Sequence, residues 1–154
     1  MKLATICYIK KDNKTLMLHR TKKENDMHEG KWVGVGGKLE KGESPEECAK
    51  REIFEETGLV VKELKLRGLL TFPSFNDDED WYGYLYVVEK FSGELIDSPE
   101  GELKWIDDNK LFDLEMWNGD EIFMRWMLEK NMFSAKFVYD AEENLVDYSV
   151  SFYE

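Results

Sequence analysis

Three glutamates, Glu52, Glu55 and Glu56, lie three and four residues apart within residues 37–59, GKLEKGESPEECAKREIFEETGL. On an α-helix, side chains at these spacings share one face, so the carboxylates project within reach of one another. Like charges so placed repel, and nothing in helix packing requires all three. A divalent cation shared among them removes the repulsion, and an all-oxygen ligand set selects Mg2+ or Mn2+ over zinc. The competing explanation is a solvated acidic face, the usual meaning of clustered glutamates. Arg51 stands beside them and is placed to pair with Glu47 or Glu55, which would hold the carboxylate geometry.

The elements that must position these groups are legible on either side. Ser44-Pro45-Glu46-Glu47 is a helix start, with serine as N-cap, proline at the first helical position and glutamate completing a capping box. The helix is expected to run to about Thr57, where Gly58 supplies a left-handed C-terminal residue. Upstream, Leu3–Lys10 and Thr15–Arg20 form a hairpin around Asp12-Asn13, a polar loop follows over Thr21–Lys31, and Trp32–Gly37 is a short apolar strand ending in glycines. Downstream, Leu59–Thr71 and Tyr82–Lys90 read as strands, separated by an exposed loop over Phe72–Asp80 that holds Pro73 and four acids. Leu103–Ile106 is a short strand. Trp117–Lys130 carries a helical stripe of Ile122, Phe123, Trp126 and Met127, and Phe133–Tyr139 with Leu145–Phe152 forms a closing hairpin. The result is an α/β chain, residues 1–154 as a single domain, with strands outnumbering helices.

The bulk composition restricts the partners. With 154 residues, 42% hydrophobic and 35% charged, the chain suits one core with a well-solvated surface. A formal net charge of −12 argues against gripping long nucleic acid, which demands cations along a backbone. It leaves room for a small polyanion screened by metal ions. No apolar run approaches the ~20 residues needed to span a bilayer, and the N-terminus carries no signal-peptide pattern, so a cytoplasmic location is expected. Cys7 and Cys48 lack metal-ligand spacing and are expected as unpaired core thiols, a single bridge being the alternative.

Glycine, five residues, glutamate, seven residues, then Arg-Glu-Ile-x-Glu-Glu-x-Gly-Leu matches the Nudix box at every defined position. Here these are Gly37, Glu43, Arg51, Glu52, Ile53, Glu55, Glu56, Gly58 and Leu59. The chain therefore resembles the Nudix hydrolases. That resemblance implies a mixed, curved β-sheet packed between helices, with the box as a loop–helix–loop facing a diphosphate. It further implies Mg2+ (or Mn2+) held by Glu52, Glu55, Glu56 and the Gly37 carbonyl, with Glu43 as support. Lys38 is a candidate for adding positive charge near the phosphates. The expected reaction is attack by water on a phosphorus. Glu52 is the first choice of general base, Glu55 or Glu56 are alternatives, and Glu100 in the loop before Trp105 is a further candidate.

Outside the box the chain resembles MutT-type enzymes that remove oxidised purine nucleoside triphosphates, the 8-oxo-dGTP diphosphatases. The resemblance rests on Gly30-Lys31-Trp32, Met116-Trp117, and Phe133, Phe137 and Leu145-Val146-Asp147-Tyr148. It implies that Trp117 stacks on the base, Asp120 hydrogen-bonds its edge and Phe72 lines the opposite wall. The products would be a nucleoside monophosphate and pyrophosphate, in a nucleotide-pool sanitising role. Two positions depart from the pattern: the base-reading asparagine is Val33, and one of two paired aspartates is Gly119. Tyr8, Asn118 and Glu121 are candidates to compensate. The rival substrates are ADP-ribose, towards which Pro73 is a weak pointer, dinucleoside polyphosphates and RNA 5′ ends. A non-catalytic nucleotide sensor is the rival of another class. His19 is expected to be structural, and no role is expected of His28. Whether the chain is a monomer or a dimer is left open.

Overall fold

A computed structural model describes residues 1–76 and 78–153. In chain order the strands are β1 (Lys2–Lys11), β2 (Lys14–Arg20), β3 (Trp32–Val33), β4 (Val60–Phe75), β5 (Glu79–Ser92), β6 (Gly101–Asp107), β7 (Met132–Tyr139) and β8 (Leu145–Tyr153). Helix α1 (Pro45–Thr57) separates β3 from β4, and α2 (Asn118–Leu128) separates β6 from β7. The strands pair in the order β3-β2-β1-β5-β4-β7-β8, with β6 also pairing with β2. The β1/β5 and β4/β7 pairs are parallel and the others antiparallel, so the sheet is mixed as expected.

The continuous apolar runs of the central strands follow from burial on both faces. Side chains alternate across a strand. Tyr8, Met17, Leu85 and Val87 accordingly pack into a cluster with Phe123, Met124 and Met127 of α2. Their neighbours Cys7, Ile9, Leu16, Leu18, Tyr86 and Val88 pack with Ala49 and Ile53 of α1. The sheet thus separates two cores, one under each helix. Both cysteines are buried and free.

Two elements differ from the sequence expectation. Phe72–Asp80 is the tip of the β4–β5 hairpin, with Phe72 paired to Trp81 and Phe75 to Glu79, where an exposed loop was expected. The acids and Pro73 signal polarity, but Phe72 and Phe75 pack inward against the α2-side core, and that burial extends the ladder. Of the four acids, Asp77 lies outside the described residues. A short 3-10 helix over Asp108–Asp113 was not anticipated; it buries Leu111 beneath α2. The closing hairpin and the capped helix stand where the sequence placed them, with Ser44 and Glu47 forming both halves of the capping box.

Phe137 is fully buried and meets the rings of Phe72, Phe123, Trp126 and Tyr148. Phe137→Ala should lower the unfolding free energy by about 3–5 kcal/mol. Val146→Ala, at a site 60% exposed, should change it by less than about 0.5 kcal/mol. Urea unfolding reads both. A Phe137 loss as small as that of Val146 would contradict this account of the core.

Candidate active site

The glycine loop is pinned to β1 by an antiparallel ladder. Val35 exchanges both backbone bonds with Cys7, the Thr5 amide donates to the Gly37 carbonyl at 2.9 Å, and the Leu39 amide donates to Leu3. Gly36 has φ +145°, and a Cβ there would stand 2.1 Å from the Thr5 carbonyl oxygen. A Cβ on Gly37 would fall 2.7 Å from the Glu52 carboxylate. Two bare backbone units are therefore what allow strand, loop and helix carboxylates to converge.

Glu56 is 3% exposed and accepts the Gly36 amide at 3.0 Å. Burial first, and then the Glu52 charge, push its carboxyl up to about 9; a hydrogen bond with Glu52 and the charge of Glu100 add to the rise. Arg51 gathers the flanking acids. Its Nε donates to Glu43 at 2.7 Å, Nη1 to Glu52 at 2.8 Å and to Glu55 at 3.3 Å, and Nη2 to the Lys38 carbonyl at 3.2 Å. Hydrogen bonds from Arg51 and from the Glu40 amide hold the Glu43 carboxyl down near 2. Arg51 does not pair with Glu47, whose carboxylate is engaged in the capping box.

The structure brings Glu52, Glu56 and Glu100 to one cleft of about 600 Å³, together with Lys38, Phe72, Trp117 and Asp120. It does not bring Glu55, whose side chain is 56% exposed and turned onto Arg51. The Gly37 carbonyl, expected among the metal ligands, is turned to β1, because the ladder requires it to accept from Thr5. Among the described residues no three acidic, imidazole or thiol side chains stand at metal-site spacing. The donor set nevertheless fits a hard divalent cation: the Glu52 and Glu56 carboxyl groups stand together, and the burial and the Glu52 charge that raise Glu56 are both costs that a bound cation offsets. Glu100 accepts ion pairs from Arg20 at 3.4 Å and Lys23 at 3.0 Å, and Asp26 holds Arg20 by its Nε at 2.8 Å.

The other end of the cleft is aromatic. Trp117 is 5% exposed and meets Phe75 and Tyr139 edge to face, with the Lys31 ammonium 4.5 Å from its ring centroid. Phe72 lines the same cleft, stacked on Phe137 and in contact with Phe75. Asp120 borders the cleft and is otherwise enclosed by protein; burial raises its carboxyl to about 7, against the opposing pull of Lys31. The Tyr8 hydroxyl is buried, with no partner among the described residues, and Tyr8 lines the cleft. Neither Asn118 nor Glu121 lines it; Glu121 pairs with Arg125. Val33 packs in the α1-side core and presents an apolar side chain to the cleft. At Gly119 a Cβ would stand 2.5 Å from the Tyr139 hydroxyl, which accepts the Gly119 amide at 2.6 Å. Tyr139 thus fills the space that a longer side chain at 119 would need.

Sequence reasoning missed Arg20, Lys23, Tyr139 and His28. His28 accepts the Trp117 indole N–H on Nδ1 at 2.8 Å, across 89 residues of chain. No local pattern announces so distant a partner. His19, by contrast, is structural as expected: it stacks on Trp32 at 4.5 Å and lies 3.2 Å from the Gly30 carbonyl.

The sequence pattern of the NUDIX domain matches residues 1–127. The chain is 31% identical over 121 residues to the oxidised purine nucleoside triphosphate hydrolase of Danio rerio, covering 79% of this chain and 78% of that one. It is 34% identical over 123 residues to the ADP-ribose pyrophosphatase of Methanocaldococcus jannaschii, covering 77% and 70%. The crystal structure of a mutator MutT protein from Bacillus halodurans superimposes with a TM-score of 0.87 at 29% identity, covering 98% of each chain.

Enclosure, reinforced by Arg20 and Lys31 against the weaker pull of Asp26 and Glu143, lowers the His28 imidazole to about 4. A histidine lowered on folding binds fewer protons in the native state. Its contribution is therefore whole above the ordinary value near 6.5 and is lost as pH falls towards 4. Asp120, raised on folding, works in the opposite direction over that window. The comparison of wild type with His28→Asn isolates the histidine. From pH 7 to pH 4 the wild type should lose about 3 kcal/mol relative to the variant. Parallel stability–pH curves would show that His28 is not held neutral.

Proposed function

The chain belongs to the Nudix family of hydrolases, enzymes that act on the phosphoric anhydrides of nucleotides, and from that membership we propose that it hydrolyses purine nucleoside triphosphates, oxidised purines such as 8-oxo-dGTP foremost, to the monophosphate and pyrophosphate. The observation that carries this reading is that one continuous cleft joins the Glu52–Glu56–Glu100 carboxylates to the Phe72 and Trp117 rings. A triphosphate attached to a planar base has those two chemistries at its two ends.

In this reading the carboxylates of Glu52 and Glu56 would hold a divalent cation, Mg2+ by the hardness of the donors, and Glu55 would support it from the rim of α1. When bound, the cation supplies charge stabilisation at the phosphoryl oxygens and acidifies water. Arg51 orients Glu52 by its Nη1 bond and Glu43 by its Nε bond. Glu52 accepts the proton of the attacking water as the new phosphorus–oxygen bond forms and pyrophosphate departs; Glu100 borders the same cleft and is the alternative acceptor. Lys38 brings positive charge to the phosphate end, and Lys23, paired with Glu100, lies beside it. At the other end Trp117 stacks on the base, a contact worth about 1–3 kcal/mol, Phe72 closes the far wall, and Asp120 bonds the base edge. The proposed setting is sanitation of the nucleotide pool by a single domain, with small nucleotides as partners.

The likeness to an ADP-ribose pyrophosphatase favours a second reading, hydrolysis of an ADP-sugar. Pro73, the weak sequence pointer towards it, lies within β4. Hydrolysis of dGTP, 8-oxo-dGTP, 2-hydroxy-dATP, the remaining dNTPs, ADP-ribose and diadenosine polyphosphates at fixed Mg2+, with products separated, decides between them. A preference for an oxidised purine, releasing pyrophosphate, is expected. A preference for ADP-ribose would overturn the triphosphate reading.

Glu56→Gln keeps an oxygen to accept the Gly36 amide and removes the group's capacity to ionise towards a cation. It should lower kcat by about 10³-fold while the protein stays folded. Glu55→Gln, on the exposed rim, should lower it by about 10²-fold. Circular dichroism controls for folding, and near-normal turnover of Glu56→Gln would remove it from the cation site.

A further inference from the structure

His28 lines the cleft and stands edge to face with Trp117, ring centroids 5.9 Å apart at 87°. An indole N–H is a donor and nothing else, so the nitrogen that accepts it, Nδ1, carries no proton. A neutral imidazole then has its proton on Nε2. Enclosure keeps the ring neutral, its ordinary value lowered to about 4. Among the described residues Nε2 has no hydrogen-bond partner, which leaves a fixed N–H donor beside the ring on which a base would stack. Meanwhile position 33 is an apolar core residue and position 119 has no side chain. Polar readout must come from elsewhere on the aromatic wall.

We propose that His28 is a specificity-determining residue of this cleft: it fixes the plane of Trp117 by accepting the indole N–H, and it offers Nε2–H to a hydrogen-bond acceptor on the edge of the purine stacked there. The inference rests on the reading of the aromatic end as the nucleobase site. A fixed donor selects a base edge that presents a carbonyl oxygen or an unprotonated ring nitrogen. It rejects an amino group at the same place, where two donors would face each other without an acceptor. The imidazole is in turn held by the polar loop between β2 and β3, so that loop contributes recognition as well as closing the cleft.

Two substitutions separate the two tasks. In His28→Asn the carboxamide oxygen takes the place of Nδ1 as acceptor, and no donor reaches the position of Nε2. In His28→Phe both are lost. For purine triphosphate hydrolysis, His28→Asn should raise KM about three- to tenfold with kcat unchanged, and the Trp117 indole N–H signal should remain hydrogen-bonded in a 15N-correlated spectrum. His28→Phe should raise KM further and shift that indole signal, assigned by its absence in Trp117→Phe. In the wild type, the imidazole 15N spectrum should show the Nε2–H tautomer, and titration with dGMP should move the Nε2–H and Trp117 signals together. An Nδ1–H tautomer, or an unchanged KM in His28→Asn, overturns the proposal and leaves the base-site reading standing. If dGMP moves Trp117 alone, the donor role is overturned. If it moves neither signal, the base-site reading is overturned and the proposal with it.

Discussion

Mutual repulsion among carboxylates brought together out of water is the constraint around which this structure is arranged. Glu56 is buried against Glu52, with Glu100 near enough to add to the effect. Left alone, such a group stays protonated. The fold holds it in place all the same. The Gly36 amide fixes its oxygen, β1 fixes Gly36, and the two-faced sheet fixes β1. Around this centre Arg51 draws the outer acids away, binding Glu43 and Glu55 while still touching Glu52. One guanidinium with five donors can do this; an ammonium lacks the planar fork to reach several carboxylates and a backbone carbonyl together.

Among the described residues two α-helices flank the sheet. α1 seals one face of the sheet and carries the acids. α2 seals the other face, and its first turn brings Asp120 to the cleft. The aromatic wall is built from both cores, since Phe72 packs with the α2 side and Trp117 with the α1 side. The cleft therefore lies where the two layers meet, and a change in either core reaches it. Tyr139 shows the linkage directly: its ring packs on Trp117 and Phe75, and its hydroxyl caps the Gly119 amide at the start of α2.

Much of this was legible in the sequence because the signals are local. Helical spacing placed Glu52 and Glu56 on one face, Ser44 and Pro45 marked the helix start, and alternating apolar residues marked the strands. What was not legible depends on distance. The β4–β5 tip reads as a loop because Pro73 and its acids are counted, while the burial of Phe72 and Phe75 depends on α2 and β7. The direction of the Gly37 carbonyl is set by the ladder to Thr5, and the outward turn of Glu55 by competition for Arg51; neither is a property of spacing. His28 and Trp117 are partners only after the chain has folded, so composition near either one carries no trace of the other.

The charge distribution adds a last consequence. The chain carries −12 overall, and the Glu52, Glu56 and Glu100 carboxylates line its cleft where phosphates are proposed to lie. The cations at that end are largely engaged: Arg20 by Asp26 and Glu100, and Lys23 by Glu100. A bare polyanion entering such a site meets repulsion from Glu52 and Glu56 that Lys38 alone does not offset. On the proposed reading, cation and triphosphate would assist each other's binding, and linkage makes that assistance equal in both directions. An acidic protein is in this way suited to a small phosphate ligand that arrives with its metal.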